Sequence, residues 1–127
     1  GLTQHATAIM SVDEFLPAVG QGAIGIEARA DDTLAREALA RINHEATFTA
    51  LACERAFLAE LDGSCKTPIA GHAVIVNDSV HFRGLIARPD GRAAHDMSGN
   101  GHVKDAAAVG AEAARELMRI AGPHFFD

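Results

Sequence analysis

The sequence predicts an α+β fold in which residues 43–127 form a small two-layer domain: helix, loop, three antiparallel strands and helix. Three observations carry this. Residues 72–76 and 80–87 are β-branched runs flanking Asn77-Asp78-Ser79, which reads as a hairpin. Pro89-Asp90-Gly91 supplies a second turn, into a third strand near 93–98. Apolar residues at three-and-four spacing stand on both sides of these strands.

In chain order, Ala6, Ala8 and Met10 alternate with His5, Thr7 and Ile9, a weak strand signal that ends at Ser11. Residues 11–16 read as a turn or helical stub. Leu16-Pro17-Ala18-Val19 then enters a glycine cluster, beyond which Ile24, Ile26 and Ala28 alternate with Gly25, Glu27 and Arg29 like a second strand. Asp31, Asp32 and Thr33 suit a helix N-terminus, and Leu34, Ala38, Leu39 and Ile42 keep one apolar face, so a helix is expected over 33–42. Asn43 can cap a second helix, with Phe48, Leu51, Ala52, Arg55 and Leu58 as its stripe and Asp62-Gly63 as its stop. The loop 64–68 follows.

Gly99-Asn100-Gly101 is expected to break the third strand. A final Ala-rich helix runs over 104–121, with Ala106, Val109, Ala113, Leu117 and Ile120 on one face and Gly122-Pro123 as its stop. Residues 1–42 carry strands and a helix but too little core for a domain of their own.

Composition narrows the function. With 127 residues, 48% apolar and 22% charged, the chain is globular in type, not fibrous or disordered. No apolar run approaches the roughly 20 residues that span a bilayer, and no secretory signal is visible, so no membrane role is expected. The net charge is −6 and the eleven basic residues are scattered, which argues against nucleic acid. Cys53 and Cys65 are expected to be reduced thiols. The chain opens on Gly1, and apolar alternation begins at once, as in a piece of a longer protein.

Gly20-Gln21-Gly22-Ala23-Ile24-Gly25 matches the dinucleotide pattern G-x-G-x-x-G, but that mechanism needs the glycines to open a helix, and a strand-like stretch follows here. A glycine-rich crossover, where backbone passes close to backbone or ligand, fits better. Seven His and two Cys lack the C-x-x-C or H-x-x-x-H spacing of a zinc site, so no metal is expected. Cys53 falls inside a helix and reads as a buried, inert thiol. Cys65 follows a helix end and precedes Lys66, whose ammonium favours the nucleophilic thiolate; a solvent-exposed bystander is the alternative. For Arg29 and Arg55 the plain reading is an internal salt bridge, for instance with Glu27, Glu54 or Glu60.

Taken together, the segment Leu16-Pro17-Ala18-Val19-Gly20-Gln21-Gly22-Ala23-Ile24-Gly25-Ile26-Glu27-Ala28-Arg29 resembles the hallmark segment of the porphobilinogen deaminase (hydroxymethylbilane synthase) family. Glu54-Arg55-Ala56-Phe57-Leu58, followed by Leu61-Asp62-Gly63-Ser64-Cys65-Lys66-Thr67-Pro68-Ile69, resembles its cofactor-attachment segment. The similarity extends through 85–91 and the terminal helix. Small departures are Ser64, Lys66 and Thr67 in the attachment loop, and Ala28 where many members have Cys.

The resemblance implies a cytoplasmic, usually monomeric three-domain transferase of the tetrapyrrole (heme, porphyrin) pathway. It condenses four porphobilinogen molecules into hydroxymethylbilane on a dipyrromethane primer. It implies that Cys65 holds the dipyrromethane by a thioether, a bond that suits a soft loop thiol. It further implies that Arg29 pairs with a cofactor carboxylate and that Gln21 and Gly22 line the same region. Arg55 matches an arginine near the attachment loop, with either structural support or ligand contact as its role.

By the same resemblance, residues 1–16 finish the family's second domain, about 20–40 cross back into the first, and 43–127 form the third, so that 1–42 is a remnant of two α/β domains. No acidic residue matches the family's catalytic aspartate; no catalytic residue is assigned, the chain alone is expected to be inactive, and Cys65 is expected free or oxidised. Residues 1–42 are expected to be poorly ordered or to pack against another copy. The rival from another class is a stand-alone α+β ligand-binding or protein-interaction module in which Cys65 is incidental.

Overall fold

The computed structural model describes residues 1–62 and 67–126. Three strands, β1 (Ile69–Val76), β2 (Ser79–Ala87) and β3 (Ala94–His102), form one antiparallel sheet in the order β1-β2-β3. The predicted hairpin is present: Val76 pairs with Ser79 across a two-residue turn whose Asn77 takes φ +53°, a conformation Asn tolerates better than most residues. Along β2, Val80, Phe82 and Ile86 are buried on the helix-facing side, while His81 and Arg83 alternate to the other.

β3 does not break at Gly99. It stays paired with β2 as far as His102, opposite Ser79. The glycines there serve packing: a Cβ on Gly101 would lie 2.5 Å from Val109 Cγ2 and one on Gly99 3.1 Å from Val109 Cγ1. They are the places where a helix comes down onto the strand.

The helices are α1 (Thr33–Ala40), α2 (Glu45–Glu60) and α3 (Ala106–Ala121). In α1 the Asp32 carboxylate caps the first turn by accepting from Ala35 N at 3.0 Å. The helix stops at Ala40, short of the expected residue 42. The cap of α2 is His44, not Asn43: its Nδ1 accepts from Thr47 N at 3.3 Å, and Asn43 instead donates to Glu45 Oε1. The expected stripe of α2 is also displaced. Cys53 and Phe57 join the core with Leu61, whereas Phe48 is 64% exposed and Arg55 faces solvent.

α3 begins after a 3₁₀ turn over Val103–Asp105 and ends where Gly122 N donates to the Met118 carbonyl. Ala106, Ala113 and Leu117 are buried as expected and Val109 packs against them, but Ile120 is exposed; Gly110 and Ala114 complete the face. α2 and α3 together cover the sheet, with Phe57 stacked at 4.9 Å on Phe82.

The alternating stretches over 5–10 and 24–29 do not form strands. A strand is stable only when its backbone groups are paired, and among the described residues no segment pairs with these two. Residues 3–5 are a 3₁₀ turn and 24–29 take no regular structure and are exposed, with Ile9 and Ile24 at 81% and 91% exposure. No described residue before Cys53 is buried. Among the described residues no helix is long and apolar enough to cross a membrane.

Candidate functional site

The glycine segment is placed by its neighbours. Pro17 presents its carbonyl to Gly71 N at 3.0 Å, along the side of β1 that β2 leaves free. Val19 packs over Gly71, where a Cβ would lie 3.2 Å from Val19 Cγ2. Two overlapping turns follow, with Gln21 N donating to Ala18 O and Ala23 N to Gly20 O. Gly20 and Gly22 take φ +73° and +84°, which side chains with a Cβ adopt only under strain. No helix opens here, so the G-x-G-x-x-G pattern has no dinucleotide geometry.

Gln21 and Gly22 are exposed, and nothing lies within 4 Å of a Cβ built on Gly22. The space above that turn is open. Arg29 stands further along, its side chain 81% exposed and 3.4 Å from Asp32 Oδ2. The expected internal salt bridge is thus a local one with the α1 cap, not with Glu27. For Arg55, two of the acidic partners weighed are engaged elsewhere: Glu60 pairs with Arg115 at 3.3 Å and Glu54 takes backbone amides.

Glu54 is the residue whose part sequence reasoning missed. It is 6% exposed on α2, and its two oxygens accept from Gly20 N and from Ala73 N, each at 2.8 Å. The signal in the sequence was an acidic residue between the core positions Cys53 and Phe57, where a charge needs compensation.

Cys65, with Gly63, Ser64 and Lys66, lies outside the described residues. The structure brings Gly20, at the head of the Gln21-Gly22 turn, onto α2, the helix that precedes Cys65 in the chain; it leaves Arg29 outside on an exposed, irregular stretch. Cys53 is fully buried, and desolvation pushes its thiol up to about 12, with the neighbouring Glu54 charge adding to the rise and a backbone hydrogen bond with Gly110 opposing it. It is inert as a nucleophile.

A groove of about 490 Å³ between β3 and α3 is lined by Met97, Asn100, Val109, Glu112, Arg115 and Arg119, among others. It contains none of the candidate residues. Among the described residues no group of three His, Cys, Asp or Glu side chains is placed to hold a metal ion.

In donor chemistry the site suits carboxylates. Arg29 offers a guanidinium fork whose only ion pair among the described residues is solvent-exposed, while at the glycine turn Gln21 N and Ala23 N are taken by the Ala18 and Gly20 carbonyls.

Residues 48–119 match the family model described as porphobilinogen deaminase, C-terminal domain. Residues 1–54 match that described as porphobilinogen deaminase, dipyrromethane cofactor binding domain. Porphobilinogen deaminases of Nitrobacter hamburgensis and Nitrobacter winogradskyi are 53% and 52% identical over 126 residues, 99% of this chain. The chain spans 40% of the length of these relatives.

Proposed function

The chain belongs to the porphobilinogen deaminase family, and we propose that it is the cofactor-bearing part of a hydroxymethylbilane synthase, with Cys65 as the attachment point of dipyrromethane. The observation that carries this reading is that the cofactor-domain and C-terminal-domain matches run without a gap over residues 1–119, across the glycine segment and the Cys65 loop. The cofactor, when bound, supplies the pyrrole terminus to which porphobilinogen units are added.

In this reading Cys65 would hold the dipyrromethane through its sulfur as a thioether. Arg29 gives up its loose contact with Asp32, 3.4 Å away, to pair with an acetate or propionate of the cofactor. Gln21 and the Gly22 amide bind at the same edge, where the open space above Gly22 admits a ligand. The family's catalytic aspartate has no counterpart in this chain, so turnover requires a segment supplied from outside it.

The division at residues 42 and 43 belongs to this reading and is supported by burial: α1 has no buried residue, and the core is built from Cys53 onward. Among the described residues, ten of the thirteen exposed large apolar side chains lie in residues 1–48, from Leu2 to Phe48, a surface that favours self-association of the chain on its own. A cytoplasmic location goes with the same reading.

The test is a fusion of this chain to the N-terminal segment of the N. hamburgensis relative. The fused protein is expected to give the pyrrole colour reaction and to consume porphobilinogen, and Cys65→Ser to abolish both. A colourless, inactive fusion that folds would sink the proposal in favour of a binding module.

A further inference from the structure

Residues 13–20 form a strap across β1. At the outward face of the sheet Arg83 Nη1 donates to the Asp13 carbonyl at 3.1 Å; at the strand edge Gly71 N donates to Pro17 O; beyond the edge Gly20 N donates to Glu54 Oε2. The other oxygen of the same carboxylate takes Ala73 N. Gly71 and Ala73 are alternate residues of β1, so their amides face the same way, away from β2, and an edge strand must satisfy them from elsewhere.

A buried carboxylate is costly unless its oxygens are hydrogen-bonded, and here each oxygen meets an amide from a different segment. The geometry demands two acceptors and no donor at one side-chain terminus. Gln has a single acceptor and would turn an NH₂ group toward one of the two amides; Asp lacks the reach of the extra methylene. Simple filling of space would be met by Gln equally well.

We infer that Glu54 is a positioning residue: its carboxylate fixes the turn bearing Gln21 and Gly22 against β1 and against α2, the helix from which the chain continues to Cys65. The clamp itself stands on the geometry; its consequence for cofactor contacts rests on the proposed function above.

Amide hydrogen exchange followed by NMR on the 127-residue chain tests the clamp. In Glu54→Gln one of the two is expected to exchange about tenfold faster, the loss of one charge-assisted bond, while Phe82 in the central strand keeps its protection. Unchanged Gly20 and Ala73 exchange in both Glu54→Gln and Glu54→Asp overturns the clamp.

The positioning role is read in the fused enzyme. There Glu54→Gln is expected to keep the Cys65-dependent colour while kcat/KM falls about tenfold, the same lost bond expressed at the site. Unchanged kcat/KM in a fusion that does stain overturns the positioning role. A wild-type fusion without colour overturns the deaminase reading instead, and the exchange data then stand by themselves.

Discussion

Gly110 on α3 lies against the Cys53 carbonyl on α2, so the two covering helices touch backbone to backbone. A Cβ at Gly110 would collide with that carbonyl oxygen and lie 2.9 Å from its carbon and 3.1 Å from Phe57 N. None of these atoms belongs to a side chain that could swing aside.

Gly110→Ala is therefore expected to reverse the ordinary sign of a Gly-to-Ala change inside a helix. Ala normally gains about 1 kcal/mol there. Here the helices must separate, and overpacking of this kind costs about 3 kcal/mol. Gly25→Ala, in open space on the irregular stretch 24–29, serves as the comparison and should stay within about 0.5 kcal/mol. Urea unfolding measures both; a Gly110→Ala chain as stable as the parent would show that the helices do not cross at this contact.

The two cysteines should separate by reactivity. Cys53, fully buried and with its thiol pushed up to about 12, is expected to escape iodoacetamide at pH 8 in the folded chain and to react only after urea unfolding. Cys65 is expected to react first, which peptide mass mapping would read directly.

The same burial sets a pH dependence. Below the ordinary thiol value of 9.0 the thiol is neutral in both states and its burial contributes fully to stability. Above it the unfolded thiol ionises while the folded one does not, so stability falls by up to about 1.4 kcal/mol per pH unit until the folded thiol ionises near 12. Cys53→Ala should flatten that slope between pH 9 and 11. An unchanged slope would place its origin in other groups.

Arg29 should matter to function and not to folding. Its contact with Asp32 is exposed, and surface pairs of this kind contribute within about 1 kcal/mol. The α1 cap uses the other oxygen of Asp32, which accepts from Ala35 N, and survives the substitution. Arg29→Ala is expected to leave the unfolding midpoint nearly unmoved and to lower kcat/KM of the fused enzyme by about tenfold or more, the loss of a charge-assisted pair. A large stability loss with intact turnover would reverse the assignment.

The hairpin, the Asp32 cap of α1 and the Ala-rich face of α3 were legible because each is written in consecutive residues: β-branched runs around Asn77, Asp32 ahead of Leu34, small residues at three-and-four spacing. The face of α2 was not. Phe48 and Arg55 share a periodic stripe with Leu51, yet the core takes Cys53 and Phe57, because rotation of a helix is chosen by what packs on it. Gly99 and Gly101 looked like breakers for the same reason: only Val109, from another element, shows why they stay in the strand.

Of the site, the residue types were readable and their placement was not. Sequence alone marked Cys65, Arg29, Gln21 and Gly22 through two long motifs in order, and it set the α+β class through local periodicity. Tertiary structure alone decided that Glu54 joins the glycine turn to the edge of the sheet and that residues 5–10 and 24–29 remain unpaired. Hydrogen-bond partners distant in the chain leave no periodic trace, and alternating residues become a strand only when another strand lies beside them.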